Sequence, residues 1–275
     1  MKENRILIDN FEISINDIPK YLDRFNLLPN FVRALIENKI TSHIEPNSDD
    51  QVEYQLKFLS RNNLKNKHQL SNWLDKNGLD DKRLSLLIYD NLKLEMFKDE
   101  KFNDLVESEF LNKKNSLDKV MYSIIRVKSK LEAEEIYLKL EEQEESFSDL
   151  AAKYSEGIEK NFNGIIGPLE IGVINPELSE RLKISKKGQL WPPFNSQNWW
   201  VIMRLERFLP AKLDDNMRIK LKEILYENWI QKKIVKVLKD LREEDKINEH
   251  NSLSENNNIA NKKILNNNDD LIFGE

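Results

Sequence analysis

The residues best suited to bind a ligand are four aromatic side chains close to two consecutive prolines, Pro192 and Pro193. Aromatic rings bury large apolar areas and anchor interfaces, so the cluster predicts a floor for an apolar or proline-containing peptide. The alternative is that these rings are ordinary side chains of a strand. Both interpretations can hold together, because neighbouring residues of a strand face opposite sides. The four aromatic residues are Trp191, Phe194, Trp199 and Trp200.

Other kinds of chemistry have no matching pattern in the sequence. The chain contains no cysteine, which excludes disulfides and thiol nucleophiles, and its three histidines are His43, His68 and His250. It has no phosphate-binding loop, no dinucleotide fingerprint and no histidines and acids at metal-ligand spacing. The acidic run at 141–145 is typical of a solvated helix surface. We therefore predict neither a cofactor nor a metal.

Charge and hydropathy limit the partners and the location of the chain. The 275 residues carry 43 Lys and Arg against 48 Asp and Glu, a net charge of −5. This balance argues against nucleic acid as the main partner, because nucleic acid favours a basic surface. No run of about 18 apolar residues is present, and the first residues are too polar for a signal peptide. We therefore expect a cytoplasmic protein without a membrane span.

Glycine and proline are concentrated in one part of the chain. Five of the seven glycines and five of the eight prolines fall between Gly157 and Pro210. Glycine admits positive φ and proline ends helices, so this stretch predicts a compact unit of tight turns and short strands. We expect Gly164, Gly167 and Gly188 to be structural turn residues.

The segments on either side are predicted to be helical. Residues 1–115 form a helical module with an N-cap at Ser14 and a C-cap at Gly78. Residues 210–243 form a last amphipathic helix that packs back on this module. From 244 to 275 asparagine dominates, and such a segment cannot bury enough apolar surface to offset its ordering entropy. It predicts a disordered tail, whose apolar residues 271–273 are either a docking peptide or, more simply, a chance occurrence.

The sequence changes its period over residues 116–209. A β-branched, apolar run at 120–127 predicts a buried strand. Serine capping boxes at Ser129 and Ser146 begin two helices. Glycine-rich turns, a short helix from Pro176 and two closing strands follow. The predicted fold class is α+β, with a β-α-α-α-β-β domain around a small antiparallel sheet and a long C-terminal helix packing on the helical module.

Three short motifs follow one another in this domain. Residues 147–155 read FSDLAAKYS, residues 163–167 read NGIIG, and a Lys187-Gly188 turn precedes the last strands. Together they resemble the parvulin-type (PpiC, or rotamase) peptidyl-prolyl isomerases over about a third of the chain. With helical segments on both sides, the layout is similar to that of SurA- and PrsA-type foldases. It also resembles leaderless cyanobacterial parvulin-like proteins.

The resemblance implies where the site lies. Parvulins usually carry one histidine in the first strand and one in the last, facing each other under the substrate proline. The alignment puts Ser123 and Trp200 at these positions, and a slip of one residue rescues neither histidine. We expect these two to be the catalytic positions, with a hydroxyl and a proline-stacking ring. The expected substrate-binding residues are Ile174, Leu178, Trp191, Phe194 and Trp199.

Loss of both histidines is compatible with catalysis. Rotation about an X-Pro bond faces a barrier of about 18–20 kcal/mol but forms no covalent intermediate, so no nucleophile is needed. An enzyme need only favour the twisted amide. The resemblance therefore implies a peptidyl-prolyl isomerase and foldase of weak activity, acting on unfolded or secreted, proline-containing polypeptides. Two alternatives remain: a catalytically silent parvulin-fold module that holds peptides, and a structural adaptor whose helices bind a larger assembly.

Overall fold

The protein divides into two compact units, one made of residues 1–103 with 222–275 and the other of residues 104–221. The structure is a computed structural model that describes residues 5–9 and 11–269, with side chains described up to 243 apart from those at 7, 8 and 11. The fold is α+β, as predicted. No helix in the described ranges is long and apolar enough to cross a membrane.

The first unit begins with a hairpin that the sequence did not lead us to expect. Strands β1 (Arg5–Ile8) and β2 (Phe11–Ser14) pair antiparallel, and Asp9 in the turn has a φ of 51°. Aspartate tolerates this left-handed conformation better than most residues, which allows a tight turn without glycine. The predicted N-cap is confirmed, since Ser14 Oγ accepts the N–H of Asn16 at 3.3 Å.

The rest of the first unit is helical, and its helices begin where polar caps stand. Asn47, Asn66 and Asp80 each accept a backbone N–H three residues on, which satisfies a donor left free at a helix start. Gly78 closes one helix in the left-handed conformation, as predicted. The helices are α1 (Ile18–Arg24), α2 (Leu28–Thr41), α3 (Ser48–Arg61), α4 (Lys67–Asn77) and α5 (Asp81–Phe102).

The long C-terminal helix α10 (Asp215–Asp269) supplies the core of this unit. Its fully buried Tyr226 and Ile230 pack with Val32 of α2 and Phe102 of α5. The Phe102 ring lies 6.3 Å from that of Tyr226 and 6.2 Å from that of Trp229, both edge-on. The prediction that the last helix packs back on the helical module is therefore confirmed.

A polar network fixes the orientation of α10 on α2. The hydroxyl of Tyr226 donates to Glu37 Oε1 at 2.6 Å, and the Arg33 guanidinium donates to both Glu37 and Glu227. Burial, together with the negative charge of Glu37, raises the pKa of Tyr226, so its hydroxyl remains a donor. Hydrogen bonding to Glu227 raises the pKa of Arg33.

The second unit is built on a four-stranded antiparallel sheet of order β4-β3-β6-β5. Strand β3 lies in the centre and pairs with β4 on one side and β6 on the other. Its helices start at the predicted caps, since Ser129 and Ser146 accept N–H groups of the first turn. The elements are α6 (Val106–Leu117), β3 (Lys119–Val127), α7 (Lys130–Glu141), α8 (Phe147–Tyr154), β4 (Ile165–Glu170), α9 (Pro176–Ile184), β5 (Leu190–Ser196) and β6 (Trp199–Leu209).

The order of elements differs from the prediction by one strand. Residues 165–170 were expected to be part of a glycine-rich loop, but they form β4 at the sheet edge. An edge strand tolerates proline because one side of its backbone has no partner, and Pro168 lies there. The observed order is therefore β-α-α-β-α-β-β rather than β-α-α-α-β-β.

The ends of the two units also differ from the prediction. Helix α6 falls in the second unit, which begins at 104 rather than 116, because its C-terminal end packs on the turn at 171–173. Helix α10 continues to Asp269 instead of ending near 243, and no glycine or proline stands between Pro210 and Gly274 to stop it. Residues 270–275, which include all of the possible docking peptide at 271–273, lie outside the described residues.

Replacement of Phe102 tests the aromatic core of the first unit. Phe102 is 3 % exposed, and Phe102→Ala removes its ring from between α5 and α10. We expect a loss of about 3–5 kcal/mol in the free energy of unfolding, measured by urea denaturation. Phe31→Ala, at a ring that is 46 % exposed on α2, is the matched control and should cost less than about 1 kcal/mol. Equal losses would contradict the assigned core.

Candidate peptide-binding pocket

Strict alternation along β3 and β6 sorts their side chains between the two faces of the sheet. On one face Tyr122 and Ile124 of β3 pack with Val201 and Met203 of β6. On the other face lie Ile125 and Val127 with Ile202. Antiparallel register, with Arg126 opposite Val201, holds the two strands in this arrangement. The two faces of the sheet therefore carry separate sets of packed side chains.

The two faces are covered to different degrees. Helices α7 and α8 close one face, where Ile136, Phe147 and Leu150 are buried against the sheet. The other face receives a single helix, α9, which contributes Leu178 and Leu182. Helix α9 begins at Pro176 after the cap Asn175, whose side chain accepts the N–H of Glu177. Because α9 spans only nine residues, part of this face stays open.

A pocket of about 210 Å³ lies on the open face. Apolar side chains of the sheet and of α9 form its walls, while amide and hydroxyl groups stand among them. Burial raises the pKa of Tyr122, so its phenol remains a neutral hydrogen-bond donor at neutral pH. The lining residues are Tyr122, Ile124, Arg126, Ile166, Leu169, Val173, Ile174, Asn175, Leu178, Ser196, Gln197, Trp199 and Val201.

The two predicted catalytic positions do not face this pocket. Ser123 is 3 % exposed, and its hydroxyl donates to Glu206 Oε1 at 2.6 Å. Trp200 packs with the cluster under α7 and α8. Both lie on the helix-covered face because side chains alternate along a strand. The residues that do line the pocket are their strand neighbours, such as Ile124 and Val201.

The predicted substrate-binding residues separate into two groups. Ile174, Leu178 and Trp199 line the pocket. Trp191 and Phe194 of β5 do not, although both pack against the same core. They instead stack on the guanidinium of Arg181, which lies 3.9 Å from the Phe194 ring centre, and the Trp191 indole donates to Ser185 Oγ at 2.7 Å.

Several pocket residues escaped the sequence analysis. Tyr122 and Ile124 belong to the run at 120–127 that predicts a buried strand, and Val201 was not among the predicted site residues. Alternation from Trp199 does predict Val201 on the same face, so a period-2 count was a usable signal. Ser196 ends β5 and Gln197 lies in the turn that follows, so this alternation gave no signal for either of them.

A lysine covers the tryptophan at the pocket. The Lys128 ammonium lies 3.4 Å from the ring centre of Trp199, within the range of a cation–π contact. The backbone N–H of Lys128 donates to Glu156 Oε1 at 3.0 Å. The cation–π contact of Lys128 orients the Trp199 indole beside the apolar wall of the pocket, and the ammonium adds a positive charge at the pocket rim.

A buried ion pair holds the loop after α8 against the end of β3. Glu159 is fully buried, receives hydrogen bonds from both Nε and Nη2 of Arg126, and accepts the Ser155 hydroxyl at 2.6 Å. Burial raises the pKa of Glu159, but the bonds from Arg126 and Ser155 outweigh it and leave that pKa below its usual value. Hydrogen bonding to Glu159 raises the pKa of Arg126, which lines the pocket.

The expected turn glycines occupy backbone conformations that need glycine. Gly164, Gly167 and Gly188 all have positive φ. A Cβ on Gly164 would lie 2.7 Å from that of Ala151 and 3.0 Å from the Ile124 carbonyl oxygen. The carbonyl oxygen of Gly164 also accepts the N–H of Ile124. Because Gly164 has no side chain, it can lie in contact with both Ala151 of α8 and the backbone of β3.

The pocket combines an apolar surface with amide groups. Leu178, Trp199 and Val201 give an apolar surface for a pyrrolidine ring, and Asn175 and Gln197 can bond peptide N–H and C=O groups. No group of three or more histidines, acids or cysteines within the described ranges is arranged to bind a metal.

Comparison with known families agrees with this geometry. Residues 123–207 match the rotamase family, described as the PPIC-type PPIase domain. The matched range runs from within β3 to within β6 and includes all of the elements between them. The expected resemblance to the parvulin-type isomerases is therefore confirmed over these residues. No curated protein matches the chain.

Solved structures of similar type cover different lengths of the chain. PrsA, a peptidylprolyl isomerase of Bacillus anthracis, is 23% identical, covers 75% of this chain and 94% of its own, and has a TM-score of 0.40. A SurA-like chaperone of Campylobacter jejuni is 17% identical, with 86% and 95% covered and a TM-score of 0.34. The parvulin domain of PpiD from E. coli is 29% identical, with 36% and 95% covered and a TM-score of 0.31.

Replacement of Glu159 tests the buried ion pair. Glu159→Gln leaves Arg126 without its counter-charge, and we expect a loss of about 2–4 kcal/mol in the free energy of unfolding at pH 7. The carboxylate has a lowered pKa, so its contribution is complete above the unfolded value of about 4.3 and disappears as pH falls through the folded value. The difference between the wild type and the variant should therefore be constant from pH 6 to 8 and shrink below about pH 4.

A neighbouring acid provides the control for this prediction. Glu156 is an exposed residue of the same loop whose side chain accepts one backbone N–H. Glu156→Gln should change the free energy of unfolding by less than about 1 kcal/mol. A loss for Glu159→Gln no larger than this, or one that persists unchanged at pH 3, would contradict the assigned ion pair.

Proposed function

We propose that the domain at 116–209 binds proline-containing segments of unfolded polypeptides in this pocket and weakly accelerates their cis–trans isomerisation. The match of residues 123–207 to the PPIC-type PPIase domain supports the reaction. The observation that carries the proposal is the open sheet face, where a pocket of about 210 Å³ combines apolar walls with amide groups. The helical unit would then serve as a chaperone cradle for the same clients.

To accelerate this reaction, the pocket needs only to bind the twisted amide more tightly than the planar forms. An uncatalysed X-Pro bond isomerises in roughly 10–100 s, and each 1.4 kcal/mol of preference for the twisted amide gives about a tenfold acceleration. The twisted amide loses its resonance and its nitrogen becomes pyramidal, so a pocket that seats the ring while bonding the flanking peptide favours it over the planar forms. Leu178 and Trp199 would seat the ring, and Asn175 and Gln197 would bond the flanking backbone.

The weakness of the expected activity follows from the pocket's strand residues. The positions that face the pocket, Ile124 and Val201, are apolar, whereas parvulins usually carry histidines in these strands. Apolar side chains bind the ring but cannot donate hydrogen bonds to the rotating amide. On β3 at this face, the Tyr122 phenol can donate, while the Arg126 guanidinium donates to Glu159 from Nε and Nη2.

The same observation favours a second candidate function. With apolar residues at both strand positions, the pocket would be able to hold a proline-containing peptide without accelerating its isomerisation. Such a module would be a binding protein for unfolded chains. The two functions share a ligand and a site, so only a rate measurement separates them. The cytoplasmic location expected from the sequence stays a prediction.

The rate measurement uses the full chain and a panel of Xaa-Pro peptides that differ in the residue before proline. We expect exchange between the cis and trans forms, followed by NMR, to be several-fold faster than in the peptide alone for at least one member. Peptide binding without any acceleration would support the binding module. Neither binding nor acceleration would contradict the proposal.

Two neighbouring tryptophans provide a matched pair of variants. Trp199→Ala removes a pocket wall, and we expect kcat/KM or peptide affinity to fall about tenfold or more, as for an aromatic anchor at an interface. Trp200→Ala removes a ring of the same size from the opposite face and should leave either quantity within about twofold, once circular dichroism has verified folding. The reverse ranking, or equal effects, would contradict the assignment of the pocket to this face.

A further inference from the structure

A second cleft lies on the helical unit and shares no lining residue with the proline pocket. It opens between α2, α5 and α10 and has a volume of about 450 Å³, within the range of small-molecule sites. Half-buried apolar side chains from all three helices form its floor. These floor residues are Ile36, Ile40, Phe97, Trp229 and Val237.

The rim of this cleft is cationic. Lys39, His43 and Lys233 line it, and no aspartate or glutamate is among its lining residues. The Lys101 ammonium lies 5.3 Å from the ring centre of Trp229 and that of Lys233 lies 5.6 Å from it. Within the part of the chain that the structure describes, none of the three lysines Lys39, Lys101 and Lys233 forms an ion pair.

Two acids of the helices that line the cleft bond elsewhere. Glu37 of α2 and Glu227 of α10 share the guanidinium of Arg33. These two carboxylates therefore form no ion pair with the lysines of the rim. Two ammonium groups over one indole ring, next to a third lysine, form a surface that lacks a negative charge.

We propose that this cleft binds a long-chain carboxylate, with the alkyl chain on the Trp229 floor and the carboxylate among Lys39, Lys101 and Lys233. The floor accounts for the alkyl chain, because burial of each methylene is favourable in proportion to its area. The lysines account for the anionic head group and exclude a cationic one. The cleft extends from 229 to 237 along α10, about 12 Å at 1.5 Å per residue, which suits an extended chain rather than a compact ligand. This inference does not depend on the proposed function.

The test is calorimetric titration of the full chain with dodecanoate at concentrations below micelle formation. We expect one saturable site. Each pair of methylenes removed from the ligand should weaken binding about tenfold, as the free energy per buried methylene requires. Dodecyltrimethylammonium, with the same chain and a positive head group, should bind at least tenfold more weakly than dodecanoate.

Charge variants locate the site. The double variant Lys39→Gln, Lys233→Gln should weaken dodecanoate binding about tenfold or more. The matched control, Lys232→Gln with Lys236→Gln, removes two exposed lysines of α10 that do not line the cleft and should leave the affinity within about twofold. Trp229→Phe, a small change of the floor, should remove the tryptophan fluorescence response to dodecanoate.

The outcomes that overturn the proposal are equally specific. They are an absence of saturable dodecanoate binding, equal affinity for the cationic amphiphile, and equal effects of the two lysine pairs. Saturable binding of an acidic, apolar peptide in place of dodecanoate would also overturn it, since the cleft would then be a polypeptide site. Circular dichroism at each titration point distinguishes binding from unfolding by the amphiphile.

Discussion

Antiparallel pairing of β3 with β6 is the constraint on which the rest of the second unit depends. The register sets Arg126 opposite Val201 and fixes which side chains share a face. Helices α7 and α8 then close one face, while the nine-residue α9 leaves part of the other open. The pocket is the part of the sheet that the short helix does not cover. A shift of one residue in β6 would exchange the faces of its side chains and bring Trp200 to the pocket in place of Trp199.

The Arg126–Glu159 pair links this sheet to the loop that shapes the site. Arg126 stands at the end of β3 and lines the pocket, while Glu159 lies in the loop after α8. Full burial of Glu159 makes the pair costly unless every oxygen has a partner, and the Ser155 hydroxyl supplies one. The region that matches the PPIC-type PPIase domain therefore presents apolar strand residues, Ile124 and Val201, at the pocket. In the proposed function these side chains would bind a proline ring but would not donate hydrogen bonds to the rotating amide.

Local signals in the sequence predicted much of this architecture. Ser129 and Ser146 marked two helix starts, the β-branched run marked β3, and the motif FSDLAAKYS pointed to the family. Three features could not be predicted from the sequence, because each depends on residues that are far apart in the chain. The edge strand β4 contains Gly167 and Pro168, so it looked like a turn until pairing with β3 was known. The alternation of Trp199 and Trp200 was evident, but which of them faces the ligand depends on where α7, α8 and α9 pack. The cleft at Trp229 needs three helices that are far apart in the chain.

The central claim is that the proline ring lies on the Trp199 face of the sheet. It is tested most directly by intermolecular NOEs between a ¹³C-labelled proline in a bound peptide and assigned side chains of the protein. The account predicts contacts from the proline ring to Trp199, Val201 and Leu178, and none to Trp200 or Ser123. Contacts to Trp200, or a saturated complex in which the proline ring contacts none of the pocket residues, would contradict it.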